Sequence, residues 1–188
     1  MINLNDLSDG NRICVFIRHG EKNLNDFGLT DNGIQNTITL ANLLCTLKKT
    51  IEIYSSPEER CVKTATLINN VVNGNNQKII ISDVLGKPGI QVKDDIEYTK
   101  LTNVMKCRDI YKEWKEGLHE EAMNNPKDIR DKILTFFEDT SKKDTLTLYI
   151  SQSGTVACTG YSLGLVDYKA DDEDWVNYLD GYVLKLWQ

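Results

Sequence analysis

Three short stretches hold residues whose types could do chemistry together. Arg18, His19 and Gly20 follow the apolar run 13–17. Ser55, Ser56 and Pro57 lead to Arg60, and Ser151, Gln152, Ser153 and Gly154 follow another apolar run at 145–150. Guanidinium forks match phosphate oxygens and neutralise their charge. An unprotonated imidazole nitrogen can attack phosphorus and hold the phosphoryl group for a time. Two arginines can stabilise charge on the equatorial oxygens during transfer. These residue types account for phosphoryl transfer without calling for a metal. The chemistry works only if the three stretches meet, and the surrounding elements must bring that about.

Each apolar run has the length and β-branched content of a buried strand. Thr30 is an N-cap candidate, with Asp31 in the first turn of the helix that follows. Ile34, Ile38, Ala41, Leu44 and Cys45 then recur at helical spacing, and Lys48 and Lys49 close the segment. Ile51, Ile53 and Tyr54 form a strand. Ser56 and Pro57 suit the cap and first position of a helix running from 57 to about 69. Arg60 falls in its first turn, where a cation opposes the helix dipole unless an anion binds there. Ile79, Ile80 and Ile81 form a short strand, and Gly86-Lys87-Pro88-Gly89 breaks the chain. Leu101, Val104, Met105, Ile110, Tyr111 and Trp114 suggest one amphipathic helix ending near Gly117, inside a small, mostly helical excursion at about 86–125. Pro126 opens another helix, a helix follows Gly154, and 182–187 alternates as a last strand.

Strand and helix alternate four times, which points to an α/β fold with helices on both faces of the sheet. In a parallel α/β sheet the strand-to-helix junctions gather on one face, so Arg18, His19, Arg60 and Gln152 would converge there. The chain of 188 residues fits one domain, 1–188. Its net charge of -6 disfavours nucleic acid as a general partner. The first residues lack a basic stretch followed by an apolar core, and no run is long enough to span a bilayer. Five scattered cysteines and two histidines a hundred residues apart make a zinc site unexpected and a reduced, cytoplasmic setting the simplest account. No cofactor is implied. His119, beside Glu120 and Glu121, is expected to be a surface residue, with a reach over the pocket as the alternative.

The same stretches resemble the signatures of the histidine phosphatase superfamily, also called phosphoglycerate mutase-like. Arg18-His19-Gly20 after a strand resembles its phosphorylated-histidine motif. Leu29-Thr30-Asp31-Asn32-Gly33-Ile34-Gln35 is similar to its Leu-Thr-x-x-Gly-x-x-Gln pattern, with Gln35 one position early. The run from Ser55 through Arg60 to Ala65 resembles its second signature, whose arginine binds phosphate. Ser151-Gln152-Ser153-Gly154-Thr155-Val156 lines up with its Ser-His-Gly-Gly-Thr-Ile segment. The resemblance implies a three-layer α/β/α sandwich with a mostly parallel central sheet. It also implies a phosphohistidine formed on His19, with Arg18 and Arg60 on the phosphate.

Two departures bear on catalysis. The family's second active-site histidine falls on Gln152, which can donate a hydrogen bond but brings no positive charge. The glutamate usually found after the third strand is missing; Asp83 is the nearest carboxylate, and Asp94 and Asp95 are further candidates for the general acid. Another branch carries an aspartate where this chain has Ser153. Asn25 and Ser153 join Arg18, Arg60 and Gln152 as expected substrate contacts. The expected activity is hydrolysis of a phosphomonoester in a small phosphorylated molecule or a phosphoprotein. A binding protein that keeps the pocket with attenuated or no chemistry is the alternative, and a phosphomutase a lesser one.

Overall fold

The computed structural model describes residues 12–23, 28–74, 76–170 and 175–186. Five strands form one sheet: β1 (Arg12–Arg18), β2 (Thr50–Ser55), β3 (Ile80–Ile81), β4 (Thr145–Ser151) and β5 (Gly181–Leu186), in the order β3-β2-β4-β1-β5. β1, β2, β3 and β4 run parallel, and β5 pairs antiparallel with β1. Six helices complete the described fold: α1 (Asp31–Cys45), α2 (Glu59–Asn73), α3 (Asp95–Val104), α4 (Cys107–Lys115), α5 (Pro126–Thr140) and α6 (Ser153–Ser162). The fold is the α/β/α sandwich that the sequence implied. Among the described residues, no helix is long and apolar enough to cross a membrane.

The central strands read as unbroken apolar runs because both faces are covered. Ile13, Val15 and Ile17 of β1 pack with Leu146, Leu148 and Ile150 of β4 under Ala41 and Leu44 of α1 and Cys61, Ala65 and Ile68 of α2. The alternate residues Cys14, Phe16 and Tyr149 face Ile129, Ile133 and Phe137 of α5 and Val156 and Ala157 of α6. Phe16 stacks on Tyr182 of β5 with centroids 5.4 Å apart. Burying side chains of this size stabilises the fold by about 1.5–3 kcal/mol each, which anchors the strand ends that carry the site.

Register brings those ends level. Arg18 lies opposite Ser151, and Ser55 opposite Ile150. Beyond the ladder, His19 N donates to Ser151 O at 3.0 Å and Ser56 N to Ile150 O at 2.9 Å. Thr30 caps α1 as expected, its hydroxyl accepting from Gly33 N. A Cβ on Gly33 would lie 2.4 Å from Glu21 O. Only glycine lets α1 press against the loop after His19.

Three boundaries differ from those expected. α2 starts at Glu59, not at Pro57, because residues 56–58 form a turn in which Ser56 Oγ accepts from Glu58 N. It then runs to Asn73, past the expected end. Asn73 Nδ2 donates to Ile51 O and Asn69 Oδ1, so side-chain amides hold the last turn until Gly74 ends it at φ 55°. The single helix expected before Gly117 is two, α3 and α4, broken where Met105 takes an extended conformation. α4 buries Ile110, Tyr111 and Trp114, whereas α3 buries none of its residues fully. One straight helix could not satisfy both packing demands. β5 begins at Gly181, and Trp187 lies outside the described residues.

Candidate active site

The junctions after β1, β2 and β4 meet at a cavity of about 190 Å³. Arg18, His19, Lys22 and Arg60 form its basic wall; Gln91, Tyr98, Cys107, Gln152 and Ser153 form a neutral one, with Gly154 and Thr155 at its floor. Among the described lining residues there is no carboxylate.

His19 is 3% exposed. Its Nδ1 lies 2.7 Å from Gly20 O and its Nε2 lies 3.0 Å from Arg60 Nε. Gly20 O can only accept and the guanidinium can only donate. The proton therefore sits on Nδ1, and Nε2 carries the lone pair. Burial, reinforced by the charges of Arg18, Arg60 and Lys22, pulls the imidazole down to about 3. The ring is neutral at physiological pH, the state a nucleophile needs. The loop that carries it is tied to α2: Gly20 N donates to Thr64 Oγ1, which donates to Arg60 O.

Arg60 is the hub. Besides Nε on His19, Nη2 donates to Gln152 Oε1 at 3.1 Å and Nη1 lies 3.2 Å from Glu58 Oε2. Glu58 offsets the cation at the start of α2. Arg18 donates to Val176 O at 2.6 Å and stacks over Tyr178 at 3.8 Å, which fixes its plane beside His19. Its Nε is buried without a protein partner. Burial lowers the pKa of Arg18, and burial with the two arginines lowers that of Lys22.

Gln152 precedes α6, whose first N–H groups at Ser153, Gly154 and Thr155 border the cavity. Such free donors at a helix start favour an anion. A Cβ on Gly154 would lie 2.5 Å from Cys107 Sγ, so glycine lets α4 close onto this helix end. With its oxygen held by Arg60, Gln152 turns its amide nitrogen toward Gly86, where an added Cβ would be 3.1 Å away.

The structure brings together Arg18, His19, Arg60, Gln152 and Ser153. It does not bring Asp83 to them: that side chain is exposed and outside the cavity lining. Asp94 is exposed and caps α3, accepting from Ile96 N and Glu97 N, and Asp95 is exposed on the same helix. Asn25 lies outside the described residues. His119 is also outside the lining, its Nε2 2.7 Å from Glu113 Oε2. Sequence reasoning missed Lys22, Gln91, Tyr98 and Cys107. A signal existed for Gln91, a polar residue between Ile90 and Val92 just after a Gly-Pro break; nothing marked Tyr98 or Cys107.

A larger cavity of about 380 Å³ is lined by Lys112, Lys115, Asp167 and Tyr168, among others. Lys115 and Asp167 pair there at 2.5 Å, and nothing in it resembles a reactive constellation. Among the described residues no group of three or more potential metal ligands gathers.

The sequence profile of the histidine phosphatase superfamily (branch 1) matches residues 14–159. A search of curated proteins returns no match. Two solved structures share the fold. One, a mycobacterial hydrolase, is 14% identical, with 81% of this chain and 78% of that chain covered and a TM-score of 0.54. The other, a mycobacterial glucosyl-3-phosphoglycerate phosphatase, is 16% identical, with 81% and 79% covered and a TM-score of 0.54.

Proposed function

Because the chain belongs to branch 1 of the histidine phosphatase superfamily, we propose that it hydrolyses a phosphomonoester through a phosphohistidine on His19. The observation that carries this reading is the neutral imidazole whose Nε2 lone pair faces the Arg60 guanidinium, while Nδ1–H is tied to Gly20 O.

In the first step Nε2 attacks phosphorus and the ester P–O bond breaks. The departing alkoxide takes a proton from Tyr98 or from solvent. Arg18, Arg60, Gln152 and the first N–H groups of α6 hold the three equatorial oxygens. In the second step water attacks phosphorus, the P–N bond breaks, and inorganic phosphate leaves with the water's proton distributed between phosphate and solvent. Burial raises the pKa of the Tyr98 hydroxyl, which makes it a weak acid. Substrates whose alcohols are more acidic should therefore turn over fastest.

A second reading is supported by Gln152. A neutral amide stands where the family pattern has a histidine, so the site could hold a phosphorylated small molecule with slow chemistry or none. Rapid quench with a ³²P-labelled phosphoester separates the two. Hydrolysis by phosphoenzyme predicts acid-labile label on wild type and none on His19→Ala, with turnover lowered by roughly 10⁴-fold or more. Turnover equal in wild type and His19→Ala, with phosphate affinity retained, would establish the binding protein instead.

A further inference from the structure

The neutral wall contains one polar atom that the described fold leaves unused. Gln91 is 4% exposed, lines the cavity and has no partner for Oε1. Its amide is held in place on the other side. Tyr98 is hydrogen-bonded to the Gln91 side chain, and since Oε1 is unpaired, the bond runs from Nε2 to the Tyr98 oxygen. Gly89 gives the side chain room, because a Cβ there would lie 2.8 Å from Oε1. The neighbouring backbone is fixed too: Asn124 N donates to Gln91 O at 2.9 Å, and Asn124 Nδ2 donates to Ile90 O and Val92 O. A rigid, buried acceptor without a donor is costly to maintain. Its partner is absent from the protein and is supplied by what enters the cavity.

Given the phosphatase reading, on which this rests, we propose that Gln91 is a specificity-determining residue: its Oε1 accepts a hydrogen bond from a hydroxyl on the leaving group of a small phosphorylated alcohol. The basic wall takes the phosphoryl group, so the leaving group faces the neutral wall. The cavity, about 190 Å³, is smaller than the usual 300–1,000 Å³ of small-molecule sites; a short alcohol fits it. The donor is a hydroxyl and not an ammonium, because Arg18, Lys22 and Arg60 line the cavity with no carboxylate among its described residues. A second cation on the substrate would face like charge.

The test uses a matched set: ethyl phosphate, 2-hydroxyethyl phosphate and 2-aminoethyl phosphate, with p-nitrophenyl phosphate as a control. Wild type is expected to favour 2-hydroxyethyl over ethyl phosphate by roughly three- to tenfold in kcat/KM, the scale of one neutral hydrogen bond. The amine should be the poorer of the two donors. Gln91→Met should bring the hydroxyl preference close to one. Gln91→Glu, which keeps an acceptor oxygen, should retain the preference, and it decides the matter if the methionine variant does not fold. No preference in wild type, a preference that survives in Gln91→Met, its loss in Gln91→Glu, or an advantage for the amine each overturns the assignment. His19-dependent hydrolysis of p-nitrophenyl phosphate alongside any of these leaves the phosphatase reading standing. No such hydrolysis removes both.

Discussion

The basic wall of the cavity and the neutral wall facing it are built by different kinds of chain. Arg18, His19 and Arg60 sit within a few residues of the ends of β1 and β2, strands buried on both faces and locked in register with β4. Gln91, Tyr98 and Cys107 come from the segment between β3 and α5, with its short helices and Gly-Pro break. The first wall presents fixed charge aimed at a phosphoryl group. The second presents amide, hydroxyl and thiol groups to whatever that phosphoryl group is attached to. Recognition of phosphate and recognition of its bearer are thus assigned to separate parts of the fold, and each can be broken separately.

The largest effect should come from the hub of the basic wall. Arg60→Ala removes the donors to His19 Nε2 and Gln152 Oε1 and the partner of Glu58 at one stroke. Removing one transition-state donor costs about 10²–10³ in rate, and kcat/KM should fall by at least that much. Arg60→Lys should recover little, because a lysine cannot serve three directions in one plane. Full activity in Arg60→Lys would show that charge alone matters on this wall.

Gln152 joins the two walls, and it gives the next effect. Its oxygen holds Arg60 while its nitrogen faces Gly86. Gln152→Glu keeps the size and the acceptor for Arg60 but replaces a donor with negative charge, opposite an incoming dianion. Inhibition by inorganic phosphate should weaken, and kcat/KM should drop by roughly 10- to 100-fold. An unchanged inhibition constant would place Gln152 outside the phosphate contacts.

The difference between the walls also explains what the sequence made legible. The sandwich, the positions of β1, β4, α1 and α5, and the meeting of Arg18, His19, Arg60 and Gln152 follow from patterns within short windows: apolar runs, a Thr30 cap, a Pro126 start. The neutral wall has no such local code. Tyr98 reaches the cavity because α3 and α4 part at Met105, a break forced by packing around Trp114 and Tyr111 and invisible in an apolar pattern that spans both helices. Asp83 failed as a cavity residue for a related reason. It follows an edge strand of two residues, Ile80–Ile81, both exposed, so its side chain meets solvent where a longer, covered strand would have directed it inward. Gln91, eight residues further, is carried back by the turn over Gly89.

The smallest effect concerns the cost of building the basic wall around a neutral histidine. In the folded protein burial, with help from Arg18, Arg60 and Lys22, holds His19 down to about 3, whereas in the unfolded chain it titrates near 6.5. Between these values the unfolded state binds the proton and the folded state does not. Stability therefore rises with pH across roughly 3 to 6.5, levels off above that window, and is lost again as pH falls. His19→Asn should remove this contribution, since its amide can still donate toward Gly20 O but cannot be protonated. Urea midpoints measured from pH 4 to 8 should converge on a steeper rise for wild type than for the variant below about pH 6.5. The difference cannot exceed one proton, about 1.4 kcal/mol per pH unit. His119 and the carboxylates are common to both proteins and cancel in the comparison. Parallel curves would mean that His19 is protonated in the folded state as readily as in the unfolded one, and the basic wall would then hold a cation in place of a nucleophile.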